Sequence, residues 1–200
     1  MFHDLLRDFY RQYGVDFAWG TLIGIDPGSE SLGVCVLSFD ANFTITRLEA
    51  ATYVGSKLPI LEDTELVHGA RHARIQAHYQ NLLNLLLQYQ PLGVVCESPF
   101  FQASRPQAYG ALTEVVSMIR AAILAYRPNM SLALIDPPNV KRAVGAKGNA
   151  GKDDVKAAIL RMGASLPYTG PVPLEYLDEH SLDSMAVALG YFHALRGIET

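Results

Sequence analysis

Leu22-Ile23-Gly24-Ile25-Asp26-Pro27-Gly28 decides how this chain folds. The apolar run from Leu22 to Ile25 reads as a buried strand, and Pro27 and Gly28 forbid it from continuing. A buried strand that ends in a carboxylate and turns at once sets that acid on the rim of a sheet, where α/β proteins place their chemistry. An acid at a strand end is also the ordinary start of a turn, so further acids in matching contexts have to choose between the two readings.

Working outward, the runs 21–26, 33–39 and 43–50 read as three strands. Short links of turn formers, Pro27-Gly28-Ser29 and Asp40-Ala41-Asn42, join them, which predicts an antiparallel meander. A helix is expected from a cap at Asp63 or Thr64 to Pro91, burying Leu66, Ala70, Ala73, Ala77, Leu82 and Leu86, with His68, His72 and His78 on other faces. A fourth strand, 93–97, ends in Glu97 and then a proline. A helix over 107–126, a strand over 131–135, a helix over 152–162 and a last helix over 178–195, stopped by Gly197, complete the chain. The order βββ-α-β-α-β-α-α predicts an α/β domain: a five-stranded mixed sheet flanked by helices, over residues 20–200. Before it, residues 1–19 carry Phe2, Leu5, Leu6, Phe9 and Tyr13 at helical spacing, so they read as an amphipathic helical extension.

The chain has 200 residues, half of them apolar, enough for one full-sized core. Cys35 and Cys96, the only cysteines, sit in strand-like apolar runs and read as core residues of a reducing compartment. The opening residues lack the basic start and apolar centre of a secretory signal, and no apolar run approaches a membrane span. A cytoplasmic protein without a membrane partner is expected. A net charge of −4 excludes no partner class, because nucleic-acid binding depends on local patches.

Glu97 repeats the context of Asp26. If the first and fourth strands are parallel neighbours, both acids emerge at one sheet edge. In the last helix His180 and Asp183 are three residues apart and share a face, beside a stripe of Leu182, Met185, Ala186, Leu189 and Phe192 that would pack on the sheet. On its own the pair also reads as a solvated first helical turn. Acids converging from distant positions repel one another unless a cation lies between them. Oxygen donors with one imidazole suit magnesium or manganese. Two such ions about 4 Å apart can activate a water and stabilise the leaving oxygen of a phosphodiester.

These residues resemble the RuvC family of Holliday junction resolvases, whose fold is RNase H-like. The pieces are Ile23-Gly24-Ile25-Asp26-Pro27-Gly28, Glu97 with Phe100, Pro138-Asn139-Val140-Lys141, the run from Gly145 to Lys152, and His180-Ser181-Leu182-Asp183. The resemblance implies that Asp26, Glu97, His180 and Asp183 bind metal and catalyse. It also implies a homodimer, whose two-fold symmetry suits paired symmetrical cuts in a four-way DNA junction. Family members carry an acid or a histidine where His180 stands, so ligand and proton carrier are both open roles for it. The chain departs from the family in its extension over 1–19 and in Ser29-Glu30-Ser31, which lacks a basic residue often found there. The loop 166–173 matches no role. No residue points to a branch-migration motor.

Between Lys141 and Arg161 six basic residues face two acidic ones, a candidate phosphate-binding surface in which Lys141, Lys147 and Lys152 are named; a solvated helical face is the alternative. Phe100 and Phe101 follow the second acid, one expected to stack on a base and one to anchor the core, with Phe100 the DNA-facing ring by its family match. The helix over 107–126 is apolar on more than one side, through Leu112, Val115, Val116, Ile119 and Ile123 and again through Ala111, Met118, Ala122 and Ala125. It is therefore either fully buried or shared with a partner. A DNA-structure binder that kept the fold and lost turnover is disfavoured because all four site residues are present, and two other functions fit parts of the pattern. One is an RNase H-like nuclease acting on other branched DNA or on RNA–DNA hybrids; the other is a fragment of an actin-like ATPase, which needs a second lobe and phosphate loop.

Overall fold

A computed structural model describes residues 19–60, 62–101, 106–163 and 165–197. The strands are β1 (Trp19–Asp26), β2 (Ser31–Asp40), β3 (Ile45–Val54), β4 (Gly93–Glu97) and β5 (Leu132–Ile135). The helices are α1 (Glu62–His68), α2 (Ala70–Tyr89), α3 (Pro106–Tyr126), α4 (Pro137–Ala143), α5 (Lys152–Gly163) and α6 (Glu179–Arg196). The sheet order is β3-β2-β1-β4-β5. β1 pairs antiparallel with β2 and parallel with β4, so the meander and the expected neighbourhood of the first and fourth strands are both present. The extension expected over 1–19 lies outside the described residues except for Trp19, whose backbone opens β1 opposite Asp40.

Strand alternation divides the core in two. Leu22, Cys35, Leu37 and Val95 face α4, α5 and α6, while Ile23, Ile25, Val34, Val36, Val94 and Cys96 face α2 and α3. The helix α6 is the most deeply set element: every residue from Ser184 to Phe192 is buried, well beyond the stripe its spacing suggests. Glycine makes this possible. A Cβ on Gly24 would meet the Ala188 nitrogen at 2.6 Å, and one on Gly33 would meet the His180 carbonyl oxygen at 2.1 Å. Backbone thus lies on backbone, which draws the first turn of α6 onto the end of β1.

Four expectations need correction. The helix expected over 63–90 is two helices, broken where Gly69 takes φ 82°; Leu66, placed beyond the break, is 83% exposed, whereas His78 is fully buried. The third strand starts at Ile45, because Phe43 is left-handed (φ 55°) and the Asp40 carboxylate accepts the Asn42 and Thr44 N–H groups, each at 2.9 Å, to close a turn. The loop 166–173 joins the outer edge of the sheet: Leu48 donates to the Pro167 carbonyl and accepts from Thr169 on either side of a parallel bridge to Tyr168. Finally, α3 is long and apolar enough, by length and composition alone, to cross a bilayer, contrary to the reading of the sequence. Here its Val115, Val116, Ile119, Ala122 and Ile123 pack into the α2 side of the core.

Candidate active site

The parallel register Ile25↔Cys96 sets Asp26 and Glu97 one step further along adjacent strands, at the same sheet edge. From the other side comes the N-terminus of α6. Asp178 caps it, accepting the Ser181 N–H at 2.9 Å and the Thr52 hydroxyl at 2.5 Å, so β3 helps to fix where the helix begins. The cap orients the first turn, and His180 Nδ1 lies 2.7 Å from Asp26 Oδ2. The structure therefore brings Asp26, Glu97, His180 and Asp183 to one rim.

Their electrostatics report the crowding. Burial, reinforced by the charges of Asp26 and Asp183, pushes the Glu97 carboxyl up to about 8. Burial and Asp26 raise Asp183 to about 6. The hydrogen bond to Asp26 lifts His180 above the ordinary imidazole range. Three carboxylates crowded into one partly buried rim form a donor set that suits a hard cation. Among the described residues, however, no three His, Cys, Asp or Glu side chains are already gathered closely enough to hold a metal ion.

Phe100 stands beside this rim, 61% exposed, and lines a hollow of about 220 Å³ with Asp26 and Glu97. Phe101 is no core anchor: it is 58% exposed and meets Tyr109 edge-on at 5.6 Å. The three lysines occupy distinct settings. Lys141 is half-buried, donates to the Ala150 carbonyl at 2.6 Å, and its charge opposes the rise of Glu97. Lys152 is exposed, pairs with Glu179 and feels Asp183 and Asp26, so it flanks the acids. Lys147 lies apart, lining an open hollow of about 470 Å³ with Asp154 and Arg161.

Reading the sequence missed the residues that support this rim. Glu179 joins Lys152 to the site, with Oε1 at 3.8 Å from His180 Nε2. The Ser98 hydroxyl donates to Asp136 at 2.7 Å and ties the segment carrying Phe100 to the start of α4. Asp136 did show the signal of a strand-end acid followed by prolines; the pairings across the chain left none.

Comparison with known proteins agrees with this fold. A family model described as "Crossover junction endodeoxyribonuclease RuvC" matches residues 22–190. The protein of that name from Heliobacterium modesticaldum is 28% identical over 176 residues, covering 87% of this chain and 94% of its own. Among solved structures, T. thermophilus RuvC in complex with Holliday junction substrate superposes with a TM-score of 0.66 at 22% identity, over 90% of this chain and 97% of its own. The yeast mitochondrial Holliday junction resolvase gives 0.64 at 12% identity, over 98% and 95%. Those two structures share its fold, and the match over residues 22–190 spans both strand-end acids and the His180–Asp183 turn: the chain belongs to the RuvC family of crossover junction endodeoxyribonucleases.

Proposed function

We propose that this chain resolves four-way DNA junctions as a homodimer, by divalent-metal-dependent phosphodiester hydrolysis that leaves paired symmetrical nicks. One observation carries the reading: Asp26 and Glu97 end parallel neighbouring strands at the edge where His180 and Asp183 arrive from α6.

Asp26, Glu97 and Asp183, with His180 beside them, would hold magnesium or manganese, two ions per site. Bound there, the metal would supply a nucleophilic water and charge stabilisation at the phosphate. The chain's own groups do the rest. Glu97, its carboxyl raised to about 8 by burial and by Asp26 and Asp183, would give up its proton once further positive charge enters the cleft. His180 commits Nδ1 to Asp26, which leaves Nε2, 3.8 Å from Glu179 Oε1, to hold a proton and pass it to the leaving oxygen; its raised pKa suits that role near neutrality. Phe100 offers a stacking face beside the acids for a base unpaired at the crossover. Lys147 supplies sequence-independent attraction to phosphate.

The dimer rests on a groove of about 890 Å³ between α2 and α3, lined by Ile75, Tyr79, Met118 and Ala121 among others. An apolar groove of this size along a helix rich in small residues suits a second copy related by two-fold symmetry. Sedimentation should give a dimer that Ala121→Arg splits.

Labelled four-way junctions, flaps, duplexes and RNA–DNA hybrids, incubated with the protein in magnesium, test the reading. Junctions should be cut fastest, and Asp26→Asn should lose about two to four orders of magnitude in rate while still binding them. Faster cutting of hybrids would overturn the substrate; parental cleavage by Asp26→Asn would overturn the site.

A further inference from the structure

The turn that follows Asp26 is clamped from outside by a cluster that none of the roles above uses. Glu30 is its hub. Its Oε1 accepts the Ser56 hydroxyl at 2.6 Å, its Oε2 forms an ion pair with Arg74 at 2.8 Å from Nε without hydrogen-bond geometry, and its backbone carbonyl accepts the Gly55 N–H at 2.6 Å. Beneath lies His78, fully buried on α2. The Ser29 and Glu30 backbone faces its ring, although neither ring nitrogen makes a complete hydrogen bond among the described residues. Gly55 allows the close approach: a Cβ there would come within 2.9 Å of both Arg74 Cβ and His78 Nε2.

The position of this cluster gives it a consequence. Asp26 and Glu30 bracket a tight hairpin turn in which a Cβ on Gly28 would meet the Ser31 carbonyl oxygen at 2.2 Å. The inner side of the hairpin rests on α6 through Gly33, and the carboxylate of Asp26 meets His180 there. Its Glu30 side is held by Arg74, Ser56 and Gly55. A turn fixed on both sides leaves Asp26 little room to follow solvent or a neighbouring carboxylate away from its place.

We propose that Glu30 and Arg74 are positioning residues for Asp26, a brace between the β1–β2 turn and α2 that keeps this carboxylate ready to ligate a divalent cation. The inference rests on the reading of Asp26 as a metal ligand.

Glu30→Gln preserves the size of the side chain and an acceptor for Ser56 while removing the charge that holds Arg74. Mn²⁺ alone, titrated calorimetrically into the full chain, should bind this variant about ten-fold more weakly, the lower end of the loss seen when groups that orient a ligand are removed. Arg74→Lys keeps the charge but moves it away from the position of Nε and should fall between Glu30→Gln and the parent. For both variants, melting temperature and metal-free junction affinity should stay parental, and cleavage should recover at saturating Mn²⁺. Parental Mn²⁺ affinity in Glu30→Gln overturns the brace. So does a loss of Mn²⁺ affinity matched by an equal loss of metal-free junction binding, which would mark general damage to the fold. Asp26→Asn, measured alongside, separates the two readings. If it binds Mn²⁺ as the parent does, the assignment of Asp26 fails; if it loses Mn²⁺ while Glu30→Gln does not, only the brace fails.

Discussion

Truncating Phe100 to alanine separates its proposed stacking on DNA from its part in the fold, because the two effects differ in what they predict. Removing a fully buried phenylalanine costs about 3–5 kcal/mol. With 61% of Phe100 exposed, the share attributable to its buried portion is on the order of 1–2 kcal/mol. For a domain of this size that lowers the melting temperature by roughly 2–8 °C. Stacking on an unpaired base contributes about 1–3 kcal/mol, which corresponds to cleavage slowed roughly 5- to 150-fold. Well below the melting temperature the variant should therefore be folded, dimeric and able to bind junctions, yet slow on a fully paired crossover. A junction with mismatches at its centre should regain most of the rate, since unpairing is no longer part of the barrier. Thermal melting and single-turnover cleavage of the paired and mismatched substrates provide the test. Equal slowing on both would refute the stacking role, and a melting-temperature loss far above the calculated range would return Phe100 to the core.

Gly24→Ala should destabilise the protein strongly, because its methyl group meets the Ala188 and Ser184 backbone at 2.6–2.7 Å; a melting temperature within a degree of the parent would contradict the backbone-on-backbone packing of α6. Lys147→Ala should flatten the slope of log junction affinity against log salt by about one, whereas Lys141→Met should show up mainly in stability, since its ammonium is pinned to Ala150. The Glu97 carboxyl is raised from 4.5 to about 8, so the folded protein binds the extra proton throughout that interval. Metal-free stability should consequently fall as pH rises through it, and less steeply in Glu97→Gln. A pH–stability profile shared by parent and variant in chelator would show that Glu97 is not buried among acids.

The sequence made the sheet edge readable because its cues are local. An apolar run closed by acid and proline occurs twice, at Asp26 and at Glu97, and each stands at the strand end expected of it. The break at Gly69 was less visible: the periodicity of Ala73, Ala77 and Leu82 runs on past a glycine that only its positive φ reveals as a joint. The depth of α6 was hidden for another reason. A helix covered on several sides keeps no polar face for a periodicity argument to find, and the clue lay in another element, at Gly24 and Gly33. Likewise Lys152 read as one of a basic run, while its partner Glu179 sits 27 residues away on a different helix. Pairings of that kind are made by tertiary approach and leave no spacing in the chain.

The docking of α6 also has a temporal meaning. A ribosome releases Asp26 and Glu97 long before His180 and Asp183, and the half-site so exposed has two acids without the helix that completes it. Because α6 lays its backbone on Gly24 and Gly33 of the β1–β2 hairpin, nuclease competence, on the proposed reading of the site, needs the last large piece of the core in place. On that reading a chain interrupted before residue 180 would lack two of the four proposed site residues, and any opening that frees α6 would disarm the site at the same moment.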